Sequence, residues 1–105
     1  MSLQFDICTN LNPNTRGLYP YLLILQHDVV AALATRVVAP LTRATCTVLP
    51  IGRLHPTVAL AGDTYLVVMH ELASVPMTVL GPVQASLKSR RDEMVAALDL
   101  LFVGF

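Results

Sequence analysis

Apolar residues recur at helical spacing in only one stretch of this 105-residue chain. From Leu87 they fall at Met94, Leu98, Leu101 and Phe105, at intervals of seven, four, three and four, with Phe102 alongside. That is the stripe of an amphipathic helix. Ser89 with Asp92 three residues on, or Ser86 one turn earlier, can cap its start. At about 100° per residue, Lys88, Asp92, Ala96, Asp99 and Val103 occupy another face. Leu98, Leu101, Phe102 and Phe105 are therefore expected to face the core, and Val103 is not. The heptapeptide DLLFVGF, Asp99–Phe105, would otherwise be unusually apolar for a segment that is commonly frayed.

Everything upstream comes in strand-length pieces. QFDICT, residues 4–9, alternates apolar with polar, as a half-buried strand does. NLNPNTRG, residues 10–17, is dense in Asn, Pro and Gly and predicts a long exposed loop. YLLIL, residues 21–25, is a continuous apolar run, predicting a strand buried on both faces or against a second subunit. RVVAPL, residues 36–41, predicts a short strand that Pro40 confines to a sheet edge or bulge. Residues 57–69 predict two strands around Gly62-Asp63, a glycine-first turn pair. SVPMTVLG, residues 74–81, predicts one further strand. No repeat, linker or low-complexity tract divides the chain, so residues 1–105 form one domain.

The chain is 54% hydrophobic and 13% charged, more apolar than a domain this small hides internally. A homodimer is the expectation. Formal net charge is zero, which argues against a broad electrostatic grip on nucleic acid. Cys8 and Cys46 lack metal-ligand spacing, and no signal peptide directs the chain to an oxidising compartment; reduced thiols in the cytoplasm are expected. The longest uncharged stretch, residues 72–87, is broken by Pro76, Gly81 and Pro82, too short for a membrane span.

The histidines are His27, His55 and His70. A hydrolytic reading would pair one with Asp28, Asp63 or Glu71. His27-Asp28 follows an apolar strand, but neighbours on a strand point to opposite faces, so an ordinary strand-end histidine is the better reading. Arg90-Arg91 with Asp92-Glu93 reads as a solvated helix start. The four methionines are core fillers. No phosphate-cradling glycine loop, nucleophile motif or metal cluster is present. The residues describe a mostly β, self-associating cytoplasmic domain with a C-terminal helix, no catalytic residue, no metal site and no cofactor.

The last third carries more. ELASVPMTVLG, followed by the amphipathic helix and a terminal LLFVGF, resembles the CcdB family, gyrase-poisoning toxins of toxin–antitoxin pairs. Members carry a MASVPVSVIG-like strand and close on MFWGI, and the alignment is gapless from Ala73 to Phe105. QHDVV, residues 26–30, is similar to the family's QSDII, and APL, residues 39–41, to its IPL. The family's usual start matches Gln4-Phe5, leaving Met1–Leu3 as an extension or a cloning scar. The match is weak over residues 42–60.

The resemblance implies a mostly β (α+β) fold: an SH3-like barrel of antiparallel strands with a small second sheet and a C-terminal helix, in a symmetric dimer. It implies that the two helix tips meet the DNA gyrase A subunit and trap the cleaved gyrase–DNA complex, stabilising one conformational state of the topoisomerase. The gyrase-binding residues it implies are Val29, Val30, Lys88, Asp99, Phe102, Val103, Gly104 and Phe105. It also implies a cognate CcdA-like antitoxin, through which alone the toxin would reach DNA in transcriptional autoregulation. The chain departs from the family where it matters for contact. Val103 stands for the stacking tryptophan, Lys88 for a serine and Asp99 for an asparagine, whereas Val29 and Val30 replace isoleucines and Phe102 and Gly104 match. Three expectations follow: a gyrase with altered contact residues, a weakened or non-toxic relative, or an interaction protein that keeps only its antitoxin. The fold shared with mRNA endoribonuclease toxins gives a further alternative, against which zero charge and a single lysine weigh.

Overall fold

The computed structural model describes residues 3–30, 32–44 and 52–104. Its strands are β1 (Asp6–Asn10), β2 (Tyr21–Ile24), β3 (Thr35–Arg43), β4 (Thr57–Leu60), β5 (Asp63–Val67), β6 (Ala73–Pro76) and β7 (Leu80–Ser86), followed by the helix α1 (Arg91–Val103). All pairings are antiparallel, in the order β4-β5-β3-β2-β1-β7, with β6 also on β3. The sheet curls, and α1 packs on one side of it: the mostly β architecture with a single helix that the sequence predicts. The expected small second sheet is not separate. Hydrogen bonding joins every strand through β3.

The sheet has an apolar cluster on each face. Phe5, Ile7, Leu23, Ala39, Leu41, Tyr65, Val67 and Met69 lie with Met94 and Ala97 of α1 in the larger one. Cys8, Leu22, Ile24 and Val38 form the smaller, with Val75, Val79 and Leu80 against it. This explains YLLIL: alternate side chains of β2 serve the two clusters. It also corrects the reading of QFDICT, since Ile7 and Cys8, on opposite faces of β1, are both fully buried and only Thr9 is partly exposed. Its polar residues are held by hydrogen bonds. Asp6 Oδ2 accepts from the Leu3 N–H at 2.8 Å, and Asn10 Nδ2 donates to the Tyr19 carbonyl at 2.8 Å.

β3 is central and nine residues long, so Pro40 marks neither an edge nor a bulge. Its first half pairs with β6 (Val38 with Ala73) and its second with β5 (Leu41 with Val67). The Pro40 carbonyl accepts from the Val68 N–H, so its nitrogen faces the same seam where one neighbour gives way to the next. A missing donor costs little there.

The β4–β5 hairpin forms as expected, but its turn is one residue earlier. Leu60 pairs with Asp63, leaving Ala61 and Gly62 as the central residues, with φ of 53° and 85°. Two positive values are the signature of the type I′ turn that matches strand twist. SVPMTVLG is not one strand. Pro76 ends β6, Met77–Val79 make a 3₁₀ turn, and β7 continues to Ser86 beside β1. The helix stripe holds for Met94, which is fully buried, and for Leu98 and Leu101, which are half-buried; Ala97, outside the predicted stripe, is fully buried as well. The stripe fails for Phe102, which is 68% exposed. Ser89 does not cap α1; Ser86 Oγ accepts the Lys88 N–H at the 3₁₀ turn that precedes it. Leu87 is buried under that turn.

Candidate functional site

At its far end α1 stops on Gly104, whose φ of 90° places it in the left-handed region while its N–H bonds the Asp99 and Leu100 carbonyls. This is the glycine helix terminus in which left-handed backbone closes the last carbonyls. It leaves Phe102 and Val103 exposed on the final turn, the latter at 59%. Phe102 and Leu98 form one wall of an apolar groove of about 250 Å³, whose other lining residues are Leu25, Gln26, Val37 and Leu72.

Gln26 links this groove to a second exposed element. Its Nε2 donates to the Val30 carbonyl at 3.0 Å and its Oε1 accepts from the Val37 N–H at 3.2 Å, clamping the 3₁₀ turn Asp28–Val30 to the start of β3. His27 Nδ1 accepts the Val29 N–H, and Asp28 Oδ1 accepts the Gln4 N–H at 2.7 Å. His27 and Asp28 are thus structural acceptors at a turn and do not face one another as an acid–base couple. The result lifts Val29 to 80% exposure and Val30 to 41%. Arg36 steadies the other side through bonds from Nη1 to the carbonyls of Leu33 and Thr35.

Of the eight site residues expected from the sequence, Val29, Val30, Phe102, Val103 and Gly104 belong to this end of the fold. Asp99 lies one turn back on the exposed helix face. Lys88 is at the other end of the helical segment, about 20 Å away at 1.5 Å per residue, and one chain does not bring it to the tip. Phe105, like Cys46, lies outside the described residues. Gln26 and Leu72 complete the groove. Gln26 stood in the quoted QHDVV, but nothing in the sequence marked it as the clamp.

In a second cluster the neighbours His70 and Glu71 stood among the pairs the sequence offered, but the approach of His55 had no signal there. His55 Nε2 lies 2.8 Å from His70 Nδ1, and His70 Nε2 lies 3.6 Å from Glu71 Oε1. His55 is 3% exposed, and burial, then the neighbouring His70, lower its pKa. Tyr21 and Tyr65 meet edge to face at 5.2 Å, and Arg43 pairs with Tyr65 across β3 and β5. Burial, then Tyr65, raise the Tyr21 pKa. Arg90 pairs with Glu93 at 2.6 Å, the solvated charged face expected of the helix start. No cluster of three metal-ligating side chains exists among the described residues, and no described helix is long and apolar enough to cross a membrane.

The family model described as CcdB protein matches residues 4–104. Among solved structures, the Mycobacterium tuberculosis toxin MazF-mt6 superposes with a TM-score of 0.71 at 20% identity, over 92% of this chain and 95% of that one. An endoribonuclease in complex with its cognate antitoxin, from a mycobacterial species, gives 0.72 at 13% identity, over 96% and 94%. A structure titled as an Mtb toxin gives 0.65 at 23%, over 78% and 91%. At these identities the solved structures share the fold.

Proposed function

This chain belongs to the CcdB family, and we propose that it is the toxin of a toxin–antitoxin pair that acts on the DNA gyrase A subunit through the tip of α1. The observation that carries this reading is the joint exposure of Phe102 and Val103 beside the Val29–Val30 turn, across a groove that Gln26 braces. Monomeric proteins seldom leave apolar side chains grouped in this way without a partner. The toxin works by contact, with no catalytic residue and no cofactor: it binds the cleaved gyrase–DNA state better than the resting one and shifts its population. A homodimer would present two tips to the target. An antitoxin partner is supported by family membership and by the solved fold relative that carries its cognate antitoxin. DNA is reached through the antitoxin alone.

Val103 weakens the poison. Binding hot spots rest on a few aromatic or arginine anchors, and valine offers no ring face for cation–π contact. Val103→Trp should strengthen gyrase binding, and adding Asp99→Asn, one turn back, should strengthen it further. The test is a supercoiling and DNA-cleavage series with the wild type, both variants and a chain lacking residues 103–105. Wild-type potency equal to that of Val103→Trp refutes the weakened poison and points to a co-adapted gyrase. Equal inactivity of all four removes gyrase and leaves a protein that only binds its antitoxin.

A further inference from the structure

The loop between β1 and β2 builds a second concave site that shares no residue with the groove at the helix tip. Asn10, 3% exposed, donates from Nδ2 to Thr15 Oγ1 and the Tyr19 carbonyl, and its Oδ1 accepts the Asn12 N–H. Asn12 Oδ1 accepts the Asn14 N–H, and its carbonyl accepts the Arg16 N–H at 2.9 Å. These asparagine turns fix a loop that its composition predicts to be merely exposed. They set Arg16 at the rim of a cavity of about 360 Å³, which Thr9, Asn10, Pro20, Tyr21 and Gln84 also line.

Its chemistry is selective. No carboxylate lines it, and Arg16 makes no ion pair among the described residues. Pro20 and Tyr21 supply an apolar wall. Gln84 Nε2 donates one hydrogen to Thr9 Oγ1 at 3.1 Å, which orients the amide and leaves its second N–H and its Oε1 as a donor–acceptor pair. A donor–acceptor amide beside a flat apolar wall is the arrangement that reads a nucleobase edge, and a guanidinium at the rim suits a phosphate. An acidic peptide would need donors alone.

We propose that this cavity binds one nucleotide of a single-stranded nucleic acid, with the base against Tyr21 and Pro20, its edge on Gln84 and its phosphate on Arg16. Zero net charge makes the contact local, so it weakens with salt by the equivalent of about one phosphate.

The test is fluorescence anisotropy at low ionic strength with labelled RNA and DNA oligonucleotides of each base, one sugar per arm. Arg16→Ala, in the exposed loop, should weaken binding about tenfold, and Gln84→Ala should reduce the preference among bases. Arg91→Ala, an equal charge removed from the exposed helix start, should change affinity less than about twofold. Thermal unfolding of each variant confirms that the fold is intact. Three results overturn the proposal: no binding of any oligonucleotide, equal losses for Arg16→Ala and Arg91→Ala, or displacement by a glutamate-rich peptide at concentrations where a neutral peptide does nothing.

Discussion

His55 and His70 share a hydrogen bond that needs one ring nitrogen to donate and the other to accept. Two charged rings cannot keep it. Burial and His70 hold the folded His55 pKa below its ordinary 6.5, so the folded protein binds fewer protons than the unfolded chain as pH falls. The stability this pair contributes is therefore present above pH 6.5 and is lost as pH drops through that value towards the lower folded pKa. Urea unfolding midpoints should fall between pH 7 and pH 5, and His70→Gln should flatten that fall. An unchanged pH slope in His70→Gln would refute the coupling. At this scale the sequence was legible where a side chain acts locally, as with Val103 or the Arg90–Glu93 pair. It was silent where partners 15 residues apart meet across a hairpin, since no spacing rule links them.

Elements were read well where one local signal dominates: the continuous apolar run of β2, the glycine turn of the β4–β5 hairpin and the helical period of α1. β3 was misjudged because Pro40 suggests an edge or bulge, and only the neighbouring strands show that its nitrogen lies where a missing hydrogen costs little. β7 was missed because its first residues were read as the end of the SVPMTVLG strand, whereas it runs on to Ser86 beside β1. Phe102 was misplaced for a related reason: a stripe predicts the direction of a side chain, but the core it would enter ends at Leu98 and Leu101. The end of α1 gives the prediction at this scale. Gly104 holds φ of 90° with open space around its Cα, so Gly104→Ala meets backbone strain and no clash. It should lower stability by about 1 kcal/mol by urea titration, and Gly104→Asn, a residue more tolerant of left-handed backbone, should lose less. Equal stability of all three chains would show that the terminal turn does not depend on this geometry.

For the whole molecule, Val29, Leu33, Phe102 and Val103 remain exposed on one chain, and so do Leu18, Met77 and Val83. The homodimer proposed above should sediment near twice 11.4 kDa at micromolar concentration; a clean monomer would refute the two-tip arrangement. Family and architecture were legible together, because ELASVPMTVLG and the final helix form a contiguous pattern, whereas the joining of both sheet parts through β3 is a long-range fact that no local pattern encodes. The order of strands has a kinetic consequence. β1 completes its pairing only with β7, and Thr9 reaches Gln84 across 75 residues. Closing so long a loop is entropically slow, and sheets made of such distant pairings fold on the order of milliseconds to seconds. Until β7 arrives, β1 offers a free edge flanked by Ile7 and Cys8, a template for pairing between molecules. Refolding yield should then be set by a race between the arrival of β7 and collision with a second unfinished chain, which makes dilution the decisive variable.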